Sequence, residues 1–522
     1  MSSITRRDFI KLAAAFAGGA VLSSARPLTK YLQNEAVNQP NIILLLLDAM
    51  SASNLSLHGY VRPTTPNLEK FAERATVYHN HYAASNFTTS GTASMLTGML
   101  PWTHRAVSFR GLVKRSLADQ GLFALLDGYH RLGYSQNPWV NLLLGQMAAH
   151  VDEYLGFGEF AYRKNVPFLP DAFPNDYPTA YMVFEDFLGT NDFNQDPGSL
   201  TLGFFNMLAS RRSEIKSAPK YPYGFPSNFY TYFVIDELLI GILHSLTGLA
   251  NARSPFFAYY HLLPPHTPYV PHKPFLGMYL KDGIIPTLKP VHPLAETRKD
   301  DRRLVRIRMT YDEYITNLDF ELGAFLDGLD QAGILDSSYL IITSDHGEIF
   351  ERGEHGHGTP LMYEPVTRIP LLVRAPGQRS RVNVHSLTSN IDLLPTLLSL
   401  AGQEIPSNIE GRLLPGLGGE EDFERSVFSV FAKESSAFLP LSKAVVSINK
   451  ANHKLIYYRG YDGFNDKCEL YDLQADPEEM TDLSGQDTAT VKKLKDELLD
   501  TWADADRPYQ VTRDTVSPRA EV

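Results

Sequence analysis

Asn41-Ile42-Ile43-Leu44-Leu45-Leu46-Leu47-Asp48 is a continuous aliphatic run closed by an acid. A run without polar alternation suits a strand covered on both faces, as in a parallel sheet, and puts the acid at the C-terminal strand end where α/β active sites form. A distant segment has the same form: Tyr339-Leu340-Ile341-Ile342-Thr343-Ser344-Asp345-His346-Gly347. Two core strands therefore deliver Asp48, Asp345 and His346 to one sheet edge, where hard and borderline ligands on rigid strand ends suit a divalent cation. An acid after a strand can also merely cap the next helix. The adjacent Asp-His pair followed by glycine is harder to explain that way, because uncompensated polar groups at the end of an apolar strand are costly.

Working outward, further strands are expected at 256–261 and 369–373. Helices are expected at 66–75, 92–97, 311–332 and 391–401. The alternation predicts an α/β fold: a large mixed, mostly parallel sheet sandwiched by helices. Beyond about Gly418, short strands at 425–431, 444–448 and 454–458 precede a helix near 491–503, predicting a small C-terminal antiparallel sheet with a helix. The expected division is a catalytic domain over 40–418, a C-terminal subdomain over 419–510 and a tail over 511–522. Residues from about 142 to 250, rich in aromatics and prolines, read as an insertion capping the sheet edge, where aromatics line a pocket or pack a core.

The N-terminus has its own logic. Thr5-Arg6-Arg7-Asp8-Phe9-Ile10-Lys11, a weakly apolar stretch from Leu12 to Leu22 and the small residues Ser23, Ser24 and Ala25 follow the order of a twin-arginine export signal over 1–25, with a polar linker over 26–39. The apolar stretch is too short for a permanent membrane span, so the expected product is periplasmic or extracellular, with the twin-arginine machinery as partner. That route carries folded proteins and fits a preloaded metal. Among 522 residues, 48 are basic and 59 acidic, with no long basic run, which argues against nucleic acid as a partner. One cysteine, Cys468, permits no intrachain disulfide.

The third chemical element is Asn86-Phe87-Thr88-Thr89-Ser90-Gly91-Thr92-Ala93-Ser94-Met95-Leu96-Thr97-Gly98, a hydroxyl-rich turn entering a helix. Helix N-termini favour anions and activated oxygen nucleophiles, although such residues often serve as simple N-caps.

Together these blocks resemble the sulfatase family of the alkaline phosphatase superfamily. Thr65-Pro66-Asn67-Leu68 is similar to TPNL, Pro265-His266-Thr267-Pro268-Tyr269 to PHxPY, and Gly353-Glu354-His355-Gly356 to GEHG. Asp392-Leu393-Leu394-Pro395-Thr396, Gly411-Arg412-Leu413-Leu414-Pro415 and Glu469-Leu470-Tyr471-Asp472-Leu473 match later family blocks. The resemblance implies a sulfatase-like fold and a metal-dependent hydrolase of sulfate or phosphate esters, acting on a small-molecule, glycan or lipid ester. It places the nucleophile five residues before Ala93, at Thr88, with Thr89 as the neighbouring candidate; Asp48, Thr88, Asp345 and His346 become the metal set, and His266 and His357 bind the transferring group or protonate the leaving oxygen.

Departures from the family pattern are specific. Threonine stands where most sulfatases carry a formylglycine-forming cysteine or serine. Tyr134-Ser135-Gln136-Asn137-Pro138-Trp139 lacks the lysine and histidine of GKWH, and Ala49 replaces the second aspartate of the usual pair. With one carboxylate fewer and His346 present, manganese or zinc fits better than calcium. His357-Gly358-Thr359-Pro360 resembles the HGTP of phosphoethanolamine transferases, which use a threonine, so transfer of a phospho-group to a lipid or glycan is the alternative. A non-catalytic binding protein with a decayed site is the third.

Overall fold

The computed structural model describes residues 39–510 except 157–158, 161–214, 216–217, 223–226, 229–230, 233 and 253. The segment 1–25, nearly all of the linker and the tail lie outside the described residues.

The expected mixed sheet has eight strands: β1 (Asn41–Leu47), β2 (Thr76–Tyr78), β3 (His130–Ser135), β4 (Glu153–Leu155), β5 (Phe256–Leu262), β6 (Ser338–Thr343), β7 (Leu371–Arg374) and β8 (Val382–Val384), in the order β8-β2-β7-β6-β1-β5-β3-β4. All neighbours pair in parallel except β7, which runs antiparallel to both β6 and β2. The helices that matter here are α1 (Pro66–Ala72), α2 (Thr88–Thr97), α3 (Pro138–Gln146), α4 (Ile235–Asn251), α5 (Asp301–Gln331), α6 (Leu393–Leu400) and α7 (Thr488–Asp506).

Strand β1 explains the sandwich. Ile43, Leu45 and Leu47 pack on one side with Leu68 and Phe71 of α1, Leu238 and Ile242 of α4, and Leu318 and Leu322 of α5. Ile42, Leu44 and Leu46 pack on the other with Ala93 and Met95 of α2, Val140 and Leu143 of α3, and Leu393 and Leu397 of α6. Successive side chains point to opposite faces, so a strand flanked by two helical layers has no position left for a polar residue until it ends. That end is Asp48.

The stretch 142–250, expected to be an insertion, contributes at both ends to the main domain itself. Strand β4 extends the sheet beside β3. Ile235, Leu238, Leu239, Ile242 and Leu246 of α4 bury the apolar stripe of an amphipathic helix against the sheet. Helix α2 begins at Thr88 rather than Thr92, and α5 begins a full ten residues before the expected Tyr311, at Asp301.

Beyond the main domain, β9 (Ser426–Phe431), β10 (Ala444–Lys450), β11 (His453–Arg459) and β12 (Cys468–Asp472) form an antiparallel sheet in sequence order. Its inner face packs with Leu494, Leu498 and Trp502 of α7 and with Leu100 and Trp102 of the main domain. A second apolar cluster joins Phe431, Val445, Ile456 and Tyr458 of this sheet to Phe87, Ile349 and Met362. Phe87 immediately precedes α2, so the C-terminal sheet buttresses that helix where it starts.

An ion pair fastens the two parts. Arg425 donates both terminal nitrogens to buried Asp392, at 2.7 and 2.6 Å, and Asp392 also accepts from the backbone N–H of Ser389 and Arg412. Removing one partner of such a pair leaves a buried charge without compensation. Arg425→Ala is therefore expected to destabilise the protein by about 3–5 kcal/mol, read as a lowered midpoint of urea unfolding.

Candidate active site

The parallel register sets the geometry. Leu46 of β1 pairs with His261 of β5 and with Thr343 of β6, and His261 pairs with Ser135 of β3. The residues that follow these strand ends, Asp48, Asp345, His346 and Asn137, consequently meet on one edge together with His261. Helix α2 enters from the adjoining layer. Its N-cap, Phe87, has extended backbone, and no side chain caps the helix. Its hydroxyls are thus not used as the caps that sequence alone would allow.

Thr88 Oγ1 lies 3.1 Å from His346 Nε2 and 3.5 Å from Asn137 Nδ2. Thr89 turns away and donates to the Phe109 carbonyl at 2.6 Å. His346 Nδ1 is 2.8 Å from the Gly347 carbonyl. A carbonyl can only accept, so in the neutral ring Nδ1 carries the proton and Nε2 presents a lone pair. That lone pair faces Thr88, Asp48 and Asp345, the carboxylate oxygens lying 3.5 and 3.6 Å away.

His261 completes the cluster. Its Nε2 is 3.1 Å from Asp48 Oδ2 and 3.7 Å from Asp345 Oδ2. Asp48, His261 and Asp345 each place one ligand atom within 4.8 Å of the others. Asn137 donates to Asp48 Oδ2 at 2.7 Å and accepts from Trp139 N–H, which makes it the N-cap of α3 as well. Burial opposes ionisation of Asp48, yet His266, His261 and His346 beside it hold its carboxyl below the usual range. Burial also lowers the basicity of His346, partly offset by Asp345.

Two carboxylate oxygens, Asp48 Oδ1 and Asp345 Oδ2, are buried without a hydrogen bond among the described residues. Buried polar atoms are ordinarily satisfied, and buried carboxylates demand cationic partners. Asp48, Asp345 and His261, with His346 Nε2 close to the two carboxylates, therefore fit a divalent cation with mixed oxygen and nitrogen ligands.

His266 and His357 are brought to the same place. Their rings lie 4.9 Å apart, and the His357 ring is 4.3 Å from that of His346. His357 Nδ1 lies 3.1 Å from Glu348 Oε1; burial opposes its protonation, but Glu348 raises its basicity. Sequence reasoning thus brought Asp48, Thr88, Asp345, His346, His266 and His357 to one cluster and missed His261, Asn137 and Glu348.

Comparison with known proteins shows the family. The sulfatase family model matches residues 40–403. The chain belongs to the sulfatase family. As such it is a sulfuric or phosphoric ester hydrolase of the alkaline phosphatase superfamily, and the family generally uses a divalent metal. Residues 353–504 also match the model of the N-sulphoglucosamine sulphohydrolase C-terminal region. Similar proteins include an arylsulfatase of Clostridium perfringens, 24% identical over 475 residues that cover 85% of this chain and 90% of the relative. A choline-sulfatase of Rhizobium meliloti is 25% identical over 503 residues, covering 89% and 87%. Among solved structures, a phosphonate monoester hydrolase from Silicibacter pomeroyi shares the fold, with a TM-score of 0.62 and 19% identity over 92% of this chain and 98% of that one.

One contact sets how closely α2 approaches the metal-ligand candidates. A Cβ at Gly91 would lie 2.4 Å from the Asp345 carbonyl oxygen. Gly91→Ala is expected to push the helix off the strand end and reduce kcat/KM for ester hydrolysis on the order of a hundredfold, with the circular dichroism spectrum unchanged.

Proposed function

We propose that this sulfatase-family enzyme cleaves sulfate or phosphate esters with the Thr88 hydroxyl as nucleophile, in place of the formylglycine of most sulfatases. The observation that carries the reading is the position of the hydroxyl. Thr88 Oγ1 sits at the N-terminus of α2 within 3.1 Å of His346 Nε2, beside two buried carboxylates, whereas Thr89 is tied to a backbone carbonyl. Asp48, Asp345, His346 and His261 would hold a divalent cation; the imidazole share of this donor set favours manganese or zinc over calcium. When bound, the cation would supply positive charge that lowers the pKa of the Thr88 hydroxyl and polarises the ester oxygens.

The chain's own residues then divide the work. Asn137 holds Asp48 and directs an N–H toward Thr88 Oγ1, steadying negative charge as the hydroxyl loses its proton. The threonine oxygen, its proton released to solvent, attacks sulfur or phosphorus in line, and the bond to the leaving oxygen breaks. His266 or His357, protonated at Nε2, binds the anionic oxygens and protonates the departing alcohol. Water attacks the resulting threonyl ester at the same sulfur or phosphorus atom and returns Thr88 to its hydroxyl form. Hydrolysis of aryl sulfates, phosphodiesters or phosphonates is the expected activity.

The Thr88 ester could equally pass to an alcohol on a lipid or glycan. The block His357-Gly358-Thr359-Pro360 favours that transferase as the second reading. Among the described residues no helix is long and apolar enough to cross a membrane. A binding protein with a decayed site is disfavoured, because the paired carboxylates and imidazoles retain a complete donor set.

The decisive experiment compares two neighbouring threonines on a panel of 4-nitrophenyl sulfate, bis(4-nitrophenyl) phosphate and 4-nitrophenyl phenylphosphonate. Thr88→Ala is expected to lower kcat on the order of a thousandfold or more, while Thr89→Ala retains turnover; an active T88A with an inactive T89A would move the nucleophile by one residue.

Export is part of the same reading, supported by the ordered charged, apolar and small-residue regions of 1–25. Replacing Arg6 and Arg7 by lysine is expected to keep the unprocessed chain inside the cell, which immunoblotting of cell fractions would register.

A further inference from the structure

Glu348 is a fully enclosed acid that the chemistry above does not use. It follows the Asp345-His346-Gly347 turn, is 1% exposed, and offers Oε1 to His357 Nδ1 at 3.1 Å. Its second oxygen has no hydrogen bond among the described residues. A buried carboxylate is tolerated where cations compensate it, and the charges that act on Glu348 are His357 foremost, then His266 and His355.

These three imidazoles are not equivalent. His355 is engaged at both nitrogens, by Lys299 Nζ at 2.8 Å and by the Tyr269 hydroxyl at 3.2 Å. His266 has Nδ1 on a backbone carbonyl, that of Thr267, at 2.7 Å. His357 alone of the three combines a carboxylate at Nδ1 with an Nε2 that has no hydrogen-bond partner among the described residues. Its side chain is 16% exposed, and its ring lies between those of His346 and His266. A carboxylate behind an imidazole fixes ring orientation and tautomer.

We propose that Glu348 is a positioning residue: its carboxylate accepts the Nδ1–H of His357 and holds the ring so that Nε2 is directed at the place where the anionic oxygens of the substrate bind. The inference rests on the reading of His357 as an anion-binding group. It assigns different duties to the two neighbouring histidines, because His266 has no carboxylate behind it.

The test uses full-length, metal-loaded enzyme, with orthovanadate binding measured by calorimetry and turnover measured on 4-nitrophenyl phenylphosphonate and 4-nitrophenyl sulfate. Glu348→Gln preserves shape and removes charge. It is expected to weaken orthovanadate binding about tenfold and to lower kcat/KM to match, with metal content and melting temperature unchanged. In a His357→Ala background the same substitution should change neither, because both residues act as one unit. A further loss from Glu348→Gln in that background, or undiminished orthovanadate affinity in E348Q, overturns the proposal. If E348Q does not fold, H357A answers alone: its partly exposed side chain can be removed safely, and unchanged orthovanadate affinity in that variant overturns the proposal too. Thr88→Ala separates this inference from the nucleophile reading. Turnover by T88A together with E348Q-sensitive orthovanadate binding refutes the nucleophile and leaves the Glu348 inference standing, whereas an inactive T88A beside an E348Q of undiminished affinity does the reverse.

Discussion

Two carboxylates, Asp48 and Asp345, are buried side by side at the ends of adjacent parallel strands, and the positive charge this demands organises the surrounding structure. Neither can be moved toward solvent, because β1 and β6 are covered on both faces and their register fixes where each strand stops. His261 and His346 flank the two acids, and each has its second nitrogen occupied, His346 by the Gly347 carbonyl and His261 by the Tyr259 hydroxyl. Such partners behind an imidazole determine which nitrogen faces the acids. The arrangement is therefore held by the protein's own contacts, which is what a site needs if binding energy is not to be spent on reorganising side chains.

Thr88 depends on the same constraint by a longer route. Its helix is not anchored by a capping side chain, so the start of α2 must be held by packing. Phe87 supplies the anchor, with its ring edge-on to Phe109 at 5.6 Å and to Phe431 of the C-terminal sheet at 6.2 Å. The Ser85 hydroxyl reaches the Val430 carbonyl, and the Val430 N–H returns to Ala84. The small C-terminal sheet thus works as a support for the helix that carries the hydroxyl, and Gly91 lets that helix approach the Asp345 backbone.

Much of this was legible from residues alone. Continuous apolar runs ending in Asp48 and in Asp345-His346 specify buried parallel strands and one shared edge, because strand period and crossover geometry leave few alternatives. The places where reading failed have physical reasons. His261 lies inside Tyr259-Tyr260-His261-Leu262, where one polar residue reads as the end of a strand. Its parity with Phe257 and Tyr259, whose side chains face the α2 layer, was the available signal. Asn137 registered only as part of a block that lacks the lysine and histidine of GKWH, although Asn before Pro138 is an N-cap pattern. Helix α4 has a readable apolar period of its own and was passed over because the aromatic- and proline-rich stretch before it was read as one insertion through 250, and β2 and β8, three residues each, are too short to show a period.

Ala49 shows how the site tolerates a residue that local preference disfavours. Its φ of 60° is left-handed, a conformation that glycine, asparagine and aspartate adopt more readily than alanine and that costs an alanine roughly 1–2 kcal/mol. The strain persists because both backbone groups are engaged. Ala49 N–H is directed at Asp345 Oδ1, 3.3 Å away, and its carbonyl accepts from the Tyr311 hydroxyl at 2.7 Å. Tyr311 in turn accepts from Ser51 N–H, so one buried phenol from α5 bridges both sides of the turn. Without a carboxylate at position 49, that backbone N–H is what faces Asp345 from β1. A second acid there would add negative charge to a pair that already lacks partners for two oxygens, and would ask for a harder, more oxygen-rich cation than two imidazoles favour. With alanine at 49 the enclosed cluster holds two carboxylates, and His261 on the neighbouring strand sets an imidazole against them.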